Sequence, residues 1–224
     1  MNRSNIKRAI VGLLLLGAIL FTLPLSATAN ASSFPFTDVP QNHWARSYIQ
    51  SVHADGIMTG TTATNFEPGT YFSRAMAVTT LFRAHHGRIA NANDSRINPF
   101  TDVTTNNWFA PYVTWAYNND IVDGVGNNRF APLDNLTREQ FAVILYRFAE
   151  SEDVNVSVPA TFNLNQFTDR GQISSWANAA MRFVNYNEIL QGATATTLNP
   201  GGRTTRAQSA ALLYRFLNFT AYAA

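Results

Sequence analysis

The chain has 224 residues, 46% of them hydrophobic, which is enough to build a hydrophobic core of ordinary domain size. Charged residues make up only 13%, about half the usual share, so most of the polar surface must come from Asn, Thr, Ser and Gln. The formal charge of +2 originates at the start of the chain: without Arg3, Lys7 and Arg8 the 16 basic residues become 13, against 14 acidic ones. That balance gives no general pull toward nucleic acid or anionic membrane, and with no cysteine there are no disulfides, zinc–thiolate sites or thiol nucleophiles.

Residues 1–31 read as an export signal. Arg3, Lys7 and Arg8 form a basic start, Ala9 to Leu23 is almost unbroken apolar sequence, and Pro24 precedes the small residues Ser26 to Ala31. An apolar run of about fifteen residues is short for a membrane span, which needs about 20, and an A-x-A pattern permits cleavage after Ala29 or Ala31. After cleavage no membrane segment is expected.

Beyond residue 31 the sequence repeats itself three times. Phe36-Thr37-Asp38 returns as Phe100-Thr101-Asp102 and Phe167-Thr168-Asp169. Trp44 returns as Trp108 and Trp176, Gly60 as Gly124 and Gly192, and Ser73-Arg74 as Thr137-Arg138 and Thr205-Arg206. The first copy maps onto the second with a shift of 64. From second to third the shift is 67 at the Phe and 68 thereafter, which places one inserted residue within Arg170 to Ser175.

Each copy predicts two helices joined by a loop of about a dozen residues. The first helix begins near the Trp and carries an i, i+1, i+4 apolar stripe: Tyr48, Ile49 and Val52, then Tyr112, Val113 and Ala116, then Ala180, Met181 and Val184. It should end at Gly56 in the first copy and near Gly124 and Gly192 in the others. The second helix is capped by Ser73, Thr137 or Thr205, and Gln140 and Gln208 complete a capping box that Met76 cannot. One helix pair cannot bury its own stripe, so the prediction is an all-α protein of three helix-loop-helix repeats closed into one pseudo-threefold-symmetric module. The repeats are placed at residues 34–87, 98–150 and 165–219, with polar connectors between them in which Val154 to Val158 is a candidate for extended backbone. The chain stops at Ala224, just after the last helix, and no appended domain is expected.

The motifs Phe36 to Val39 with Trp44 and Ser73-Arg74-Ala75-Met76, Phe100 to Val103 with Trp108 and Thr137-Arg138-Glu139-Gln140, and Phe167 to Asp169 with Trp176 and Thr205-Arg206-Ala207-Gln208 resemble the S-layer homology (SLH) family. The resemblance covers residues 34 to 219. It implies a non-catalytic module that anchors exported proteins to the bacterial cell wall. Its ligand would be a secondary cell-wall polysaccharide bearing pyruvate ketals, bound in grooves between repeats. The family motif's final Glu is missing from all three copies.

The implied ligand chemistry needs a fixed cation beside sugar-binding surfaces. Arg74, Arg138 and Arg206 stand at the first position of the second helix, where free N–H groups and the helix dipole would favour an anion and an Arg fork would add a bidentate contact. An Arg there is unfavourable to the dipole, so its threefold recurrence asks for a reason beyond the helix. Trp44, Trp108 and Trp176 offer flat faces to a sugar ring, or simply fill the core. Asp38, Asp102 and Asp169 accept sugar hydroxyls, or cap the first helix or order its lead-in turn. Gly60, Gly124 and Gly192 permit close approach, or serve turn geometry.

The expected partner is the wall polysaccharide, with peptidoglycan or other surface proteins as further candidates, at the cell wall and cell surface. No cofactor and no metal site is expected; His43, His53 and His85-His86 have no carboxylate at ligand spacing. Two other readings stay open: a small structural envelope protein acting through protein–protein contacts, recognisable by self-assembly without polysaccharide, and a wall-active hydrolase, for which no catalytic motif is evident.

Overall fold

The computed structural model describes residues 34–85 and 98–223. The expected export signal at 1–31, His86 and most of the first connector lie outside the described residues.

The described chain is all-α. In order it forms α1 (Arg46–Ala54), α2 (Arg74–Ala84), α3 (Ala110–Asn118), α4 (Arg138–Ser151), α5 (Asn178–Tyr186) and α6 (Arg206–Ala223). Two short 3₁₀ turns, Arg170–Gln172 and Ser175–Ala177, occupy the stretch in which the third repeat carries its extra residue. Val154 to Val158 forms no strand, and β-type pairing among the described residues is confined to isolated bridges.

Capping follows the sequence. Ser73 accepts from the N–H of Met76, and Thr137 and Gln140 make a reciprocal capping box. Thr205 and Gln208 do the same, with bonds of 3.0 and 3.3 Å. The ends of the short helices require a correction. Gly56, at φ +71°, provides the left-handed turn after α1, but after α3 and α5 that turn is made by Asp120 at +58° and Glu188 at +57°, not by Gly124 or Gly192. The same backbone turn is therefore held without glycine in two repeats out of three, at the strain cost of left-handed non-glycine residues.

The apolar stripes meet across repeats. The second helix of each repeat packs on the first helix of the next: α2 on α3, α4 on α5, and α6 on α1. Tyr48 of α1 meets Tyr214 of α6 at 5.3 Å, Phe82 of α2 meets Tyr112 of α3 at 5.1 Å, and Tyr146 of α4 meets Phe183 of α5 at 5.5 Å. Ile49, Val52, Val113, Ala116, Met181 and Val184 are buried, as are Leu81, Leu145 and Leu213 on the longer helices. With no disulfide available, burial of this apolar area stabilises the fold at roughly 25 cal/mol per Å².

At the centre, three equivalent residues just before the long helices bond to one another through their backbones. Phe72 N–H donates to Thr204 O, Thr204 N–H to Leu136 O, and Leu136 N–H to Phe72 O, at 2.9–3.0 Å. Around this ring lie the bridges Tyr71–Thr205, Ser73–Asn135 and Thr137–Arg203. Short apolar-polar segments that would leave unpaired N–H and C=O groups in a buried place thus pair with their copies in the other repeats.

Candidate functional site

The loop between the two helices of each repeat is held from two sides. From within the repeat, the Phe-Thr-Asp motif grips it. The Phe is buried beneath the loop, with Phe36 5.4 Å from Phe66 and Phe100 5.4 Å from Phe130. The Thr backbone N–H donates to the loop carbonyl of Thr64, Asn128 or Thr196 at 2.8–2.9 Å. The Asp spends both carboxylate oxygens on consecutive loop amides. Asp38 accepts from Phe66 N–H at 2.8 Å and Glu67 N–H at 2.6 Å. Asp102 accepts from Phe130 and Ala131, both at 2.8 Å, and Asp169 from Leu198 at 2.8 Å and Asn199 at 2.7 Å. The second amide in each pair belongs to a residue of positive φ (Glu67, Ala131 and Asn199), so the carboxylate holds a strained turn in place.

These aspartates do not cap the first helix; they reach about 28 residues along the chain to fix the loop. For Asp102 and Asp169, desolvation pushes the pKa up. The backbone N–H bonds outweigh it and hold both carboxyls below their ordinary range.

From the neighbouring repeat the loop is held by Arg. Arg74 Nε donates to Phe130 O at 2.8 Å and its Nη2 to Asp123 O at 2.9 Å. Arg138 repeats this on Leu198 O and Gln191 O, both at 2.8 Å. Arg206 repeats it on Phe66 O and Thr59 O of the first repeat, again at 2.8 Å. All three side chains are buried, and burial lowers each guanidinium pKa, opposed by nearby carboxylates. Two of the five N–H groups of each fork are therefore committed to main-chain carbonyls of the next repeat.

The helix starts are committed as well, which corrects the expectation of free N–H groups there. Arg74 N–H donates to Asp134 O and Ala75 N–H to Pro132 O. Arg138 and Glu139 donate to Gly202 O and Pro200 O, and Arg206 and Ala207 to Thr70 O and Pro68 O. The amides that would have received an anion are satisfied by the loop of the adjacent repeat. The recurrence of Arg after each cap thus has a structural reason, a clamp between repeats.

Gly60, Gly124 and Gly192 have one as well. A Cβ on any of them would stand 2.5, 2.9 and 2.9 Å from Cε1 of Phe36, Phe100 and Phe167, with loop carbonyls on its other side. The tryptophans behave differently: Trp44, Trp108 and Trp176 are 57–58% exposed although each opens an amphipathic helix. Their indole faces therefore lie outside the core at three equivalent places.

Exposed Trp and buried Arg come together in grooves to which three repeats contribute. One groove, of about 190 Å³, is lined by Met58, Gly60 and Arg83 of the first repeat, Trp108 of the second and Arg206 of the third. Its counterpart, of about 280 Å³, is lined by Val122, Gly124 and Arg147 of the second repeat, Trp176 of the third and Arg74 of the first. At the third equivalent place Arg138 reaches the loop at Gln191, and Arg215 donates to the Tyr48 hydroxyl at 3.3 Å beside Trp44. These spaces suit a small group such as a sugar residue and fall below the roughly 300–1,000 Å³ of pockets for drug-sized ligands.

The second basic residue of each groove, Arg83, Arg147 or Arg215, escaped the sequence reading. The signal was present, since the three recur at the same 64- and 68-residue spacings. Only the pairing of each with an Arg from another repeat is invisible in the sequence. The histidines are dispersed: His53 Nδ1 lies 3.2 Å from Met58 O, and His85 Nδ1 is 2.8 Å from Glu152 Oε1. Among the described residues no group of three or more His, Asp or Glu side chains is placed to hold a metal ion, and no helix is long and apolar enough to cross a membrane.

The sequence pattern of the S-layer homology domain matches residues 35–77, 99–142 and 166–210. The chain is 33% identical over 97% of its length to an endoglucanase of Bacillus sp. (strain KSM-635), of which it spans 23%. It is 29% identical over 77% of its length to the surface-layer 125 kDa protein of Lysinibacillus sphaericus, spanning 14% of it. It is 24% identical over 94% of its length to an S-layer protein of Bacillus thuringiensis subsp. finitimus, spanning 24%. The chain thus covers about a quarter or less of each of these relatives.

Proposed function

The chain belongs to the S-layer homology family, whose domains anchor S-layer and other surface proteins to the cell wall, and from that premise we propose that its grooves bind an acidic secondary cell-wall polysaccharide. The finer reading, a pyruvate ketal as the acidic group, is what the family resemblance implies; the basic grooves support an acidic group. The observation that supports it is the recurrence of one constellation: a buried Arg from one repeat, a second Arg and a glycine loop from another, and an exposed Trp from a third.

A guanidinium with N–H groups beyond those spent on the loop can meet a sugar-borne carboxylate, and the indole face can meet the ring. Arg74, Arg138 and Arg206 would then serve twice, holding the loop and presenting positive charge in the groove. Asp38, Asp102, Asp169 and the three glycines would act by fixing the loop that forms the groove floor.

Anchoring needs no reaction centre, and this reading assigns none to the chain. It is tested by co-sedimentation of the chain without residues 1–31 with purified sacculi, either carrying their polysaccharide or stripped of it. Binding to the first alone supports the proposal. Equal binding to both redirects it to peptidoglycan, and binding to neither removes it.

A further inference from the structure

The three grooves share one plan but differ in charge at the loop position that meets the buried Arg. The residue whose carbonyl receives the buried Arg is Thr59 in the first repeat, Asp123 in the second and Gln191 in the third. Asp123 places its carboxylate on the second Arg of its own groove, with Arg147 Nη1 to Asp123 Oδ2 at 2.6 Å. Neither Thr59 nor Gln191 carries a charge. Arg83 instead reaches the backbone carbonyl of Ile57 at 3.5 Å, and Arg215 reaches the neutral Tyr48 hydroxyl at 3.3 Å.

The remaining charges point the same way. Arg74, in the Asp123 groove, has Asp134, Asp102 and Asp123 near it; Arg129, 3.5 Å from Asp102, partly offsets that one. Arg206 has Glu67 and Asp38 near it, and Arg138 has Asp169. Thr70 and Gly202 stand where the second repeat has Asp134.

We propose that the groove of the second repeat is weakened toward anionic ligands by its own Asp123 carboxylate on Arg147, so that the grooves of Arg83 with Arg206 and of Arg215 with Arg138 fill first. This rests on the reading of the grooves as sites for an acidic sugar. A ligand carboxylate entering the second groove must displace Asp123 from Arg147 and then lie against its negative charge. The Asp123 side chain is 71% exposed, so the effect is that of a solvated ion pair, roughly fivefold in affinity.

Each groove has its own exposed tryptophan, so occupancy can be read site by site. The protein is labelled with 5-fluorotryptophan, purified in the form the cell exports, and titrated with a monosaccharide carrying a pyruvate ketal while its ¹⁹F signals are followed. Single Trp→Phe variants assign the signals of Trp44, Trp108, Trp115 and Trp176. The expected result is that Trp44 and Trp108 respond at a concentration roughly fivefold below Trp176. Asp123→Thr, the residue type of the first groove, should bring Trp176 level with them, and Asp123→Asn serves should the Thr variant fail to fold. The inference is overturned if all three exposed tryptophans respond together in the unaltered protein, or if removing the charge leaves Trp176 behind. If no tryptophan responds, the polysaccharide reading itself fails, and the order of filling with it.

Discussion

The carbonyl of Phe66 accepts a hydrogen bond from Arg206 Nε at 2.8 Å, joining residues 140 positions apart. The N–H of the same Phe66 is held by Asp38 from within its own repeat. Every groove loop is fixed in this double way, by an Asp behind it in sequence and an Arg from another repeat, so the grooves exist only when neighbouring repeats are docked.

Arg138→Lys is therefore expected to destabilise the protein although it keeps the charge. An ammonium on a flexible stem cannot reproduce Nε and Nη2 directed at Leu198 O and Gln191 O together. Arg138→Ala should cost more, about 2–4 kcal/mol, because both carbonyls lose a buried partner. Urea unfolding followed by circular dichroism measures both; an Arg138→Ala variant as stable as the parent would contradict the clamp.

The lowered carboxyl pKa values of Asp102 and Asp169 set an acid limit. A group whose folded pKa lies below its unfolded value, about 3.9, contributes stability that is complete above that value and is lost as pH falls through the folded one. The urea midpoint should be level from pH 7 to about pH 5 and fall below about pH 4. Asp102→Asn, which keeps one acceptor oxygen but not the charge, should lower the neutral-pH midpoint and flatten the acid limb.

Gly60→Ala and Gly124→Ala should each cost about 2 kcal/mol, since the new methyl meets a buried Phe ring and loop carbonyls. Gly69→Ala, which meets nothing within 4 Å and has no positive φ, should change stability by less than about 0.5 kcal/mol. Thermal unfolding of the three variants separates crowding from a general effect of losing glycine.

Trp108→Ala removes a side chain that is 58% exposed, so folding should be affected by less than about 1 kcal/mol while retention on polysaccharide-bearing sacculi falls. Trp115→Ala is the counterpart. Its ring packs on Phe82 at 5.4 Å and Phe148 at 6.2 Å, and its removal should cost about 3 kcal/mol. Equal losses of stability from both would mean that Trp108 also serves the core.

Met76→Gln should complete in the first repeat the capping box present in the other two, adding about 0.5–1 kcal/mol. The same change replaces the thioether 3.8 Å from Arg206 Nη1, so binding should be measured alongside the melting temperature.

The threefold repetition, the all-α class and the caps at Ser73, Thr137 and Thr205 are local or periodic properties, and a single chain carries them in its residue order. The order also brought Arg74, Arg138, Arg206 and the three tryptophans forward as a set, because identical spacing is a one-dimensional signal. It did not carry the left-handed roles of Asp120 and Glu188, which local turn preference assigned to glycines four residues further on. Nor could it separate a Trp facing the core from a Trp facing a groove, since both fit the start of an amphipathic helix.

The meeting of Arg206 with Phe66 and Thr59, the two oxygens of each Asp on consecutive loop amides, and the Asp123–Arg147 pair depend on which repeat docks against which. Hydrogen bonds and charges act over a few ångströms of space whatever the separation in sequence. The reason for each repeated residue became determined only when three copies of one motif were packed together.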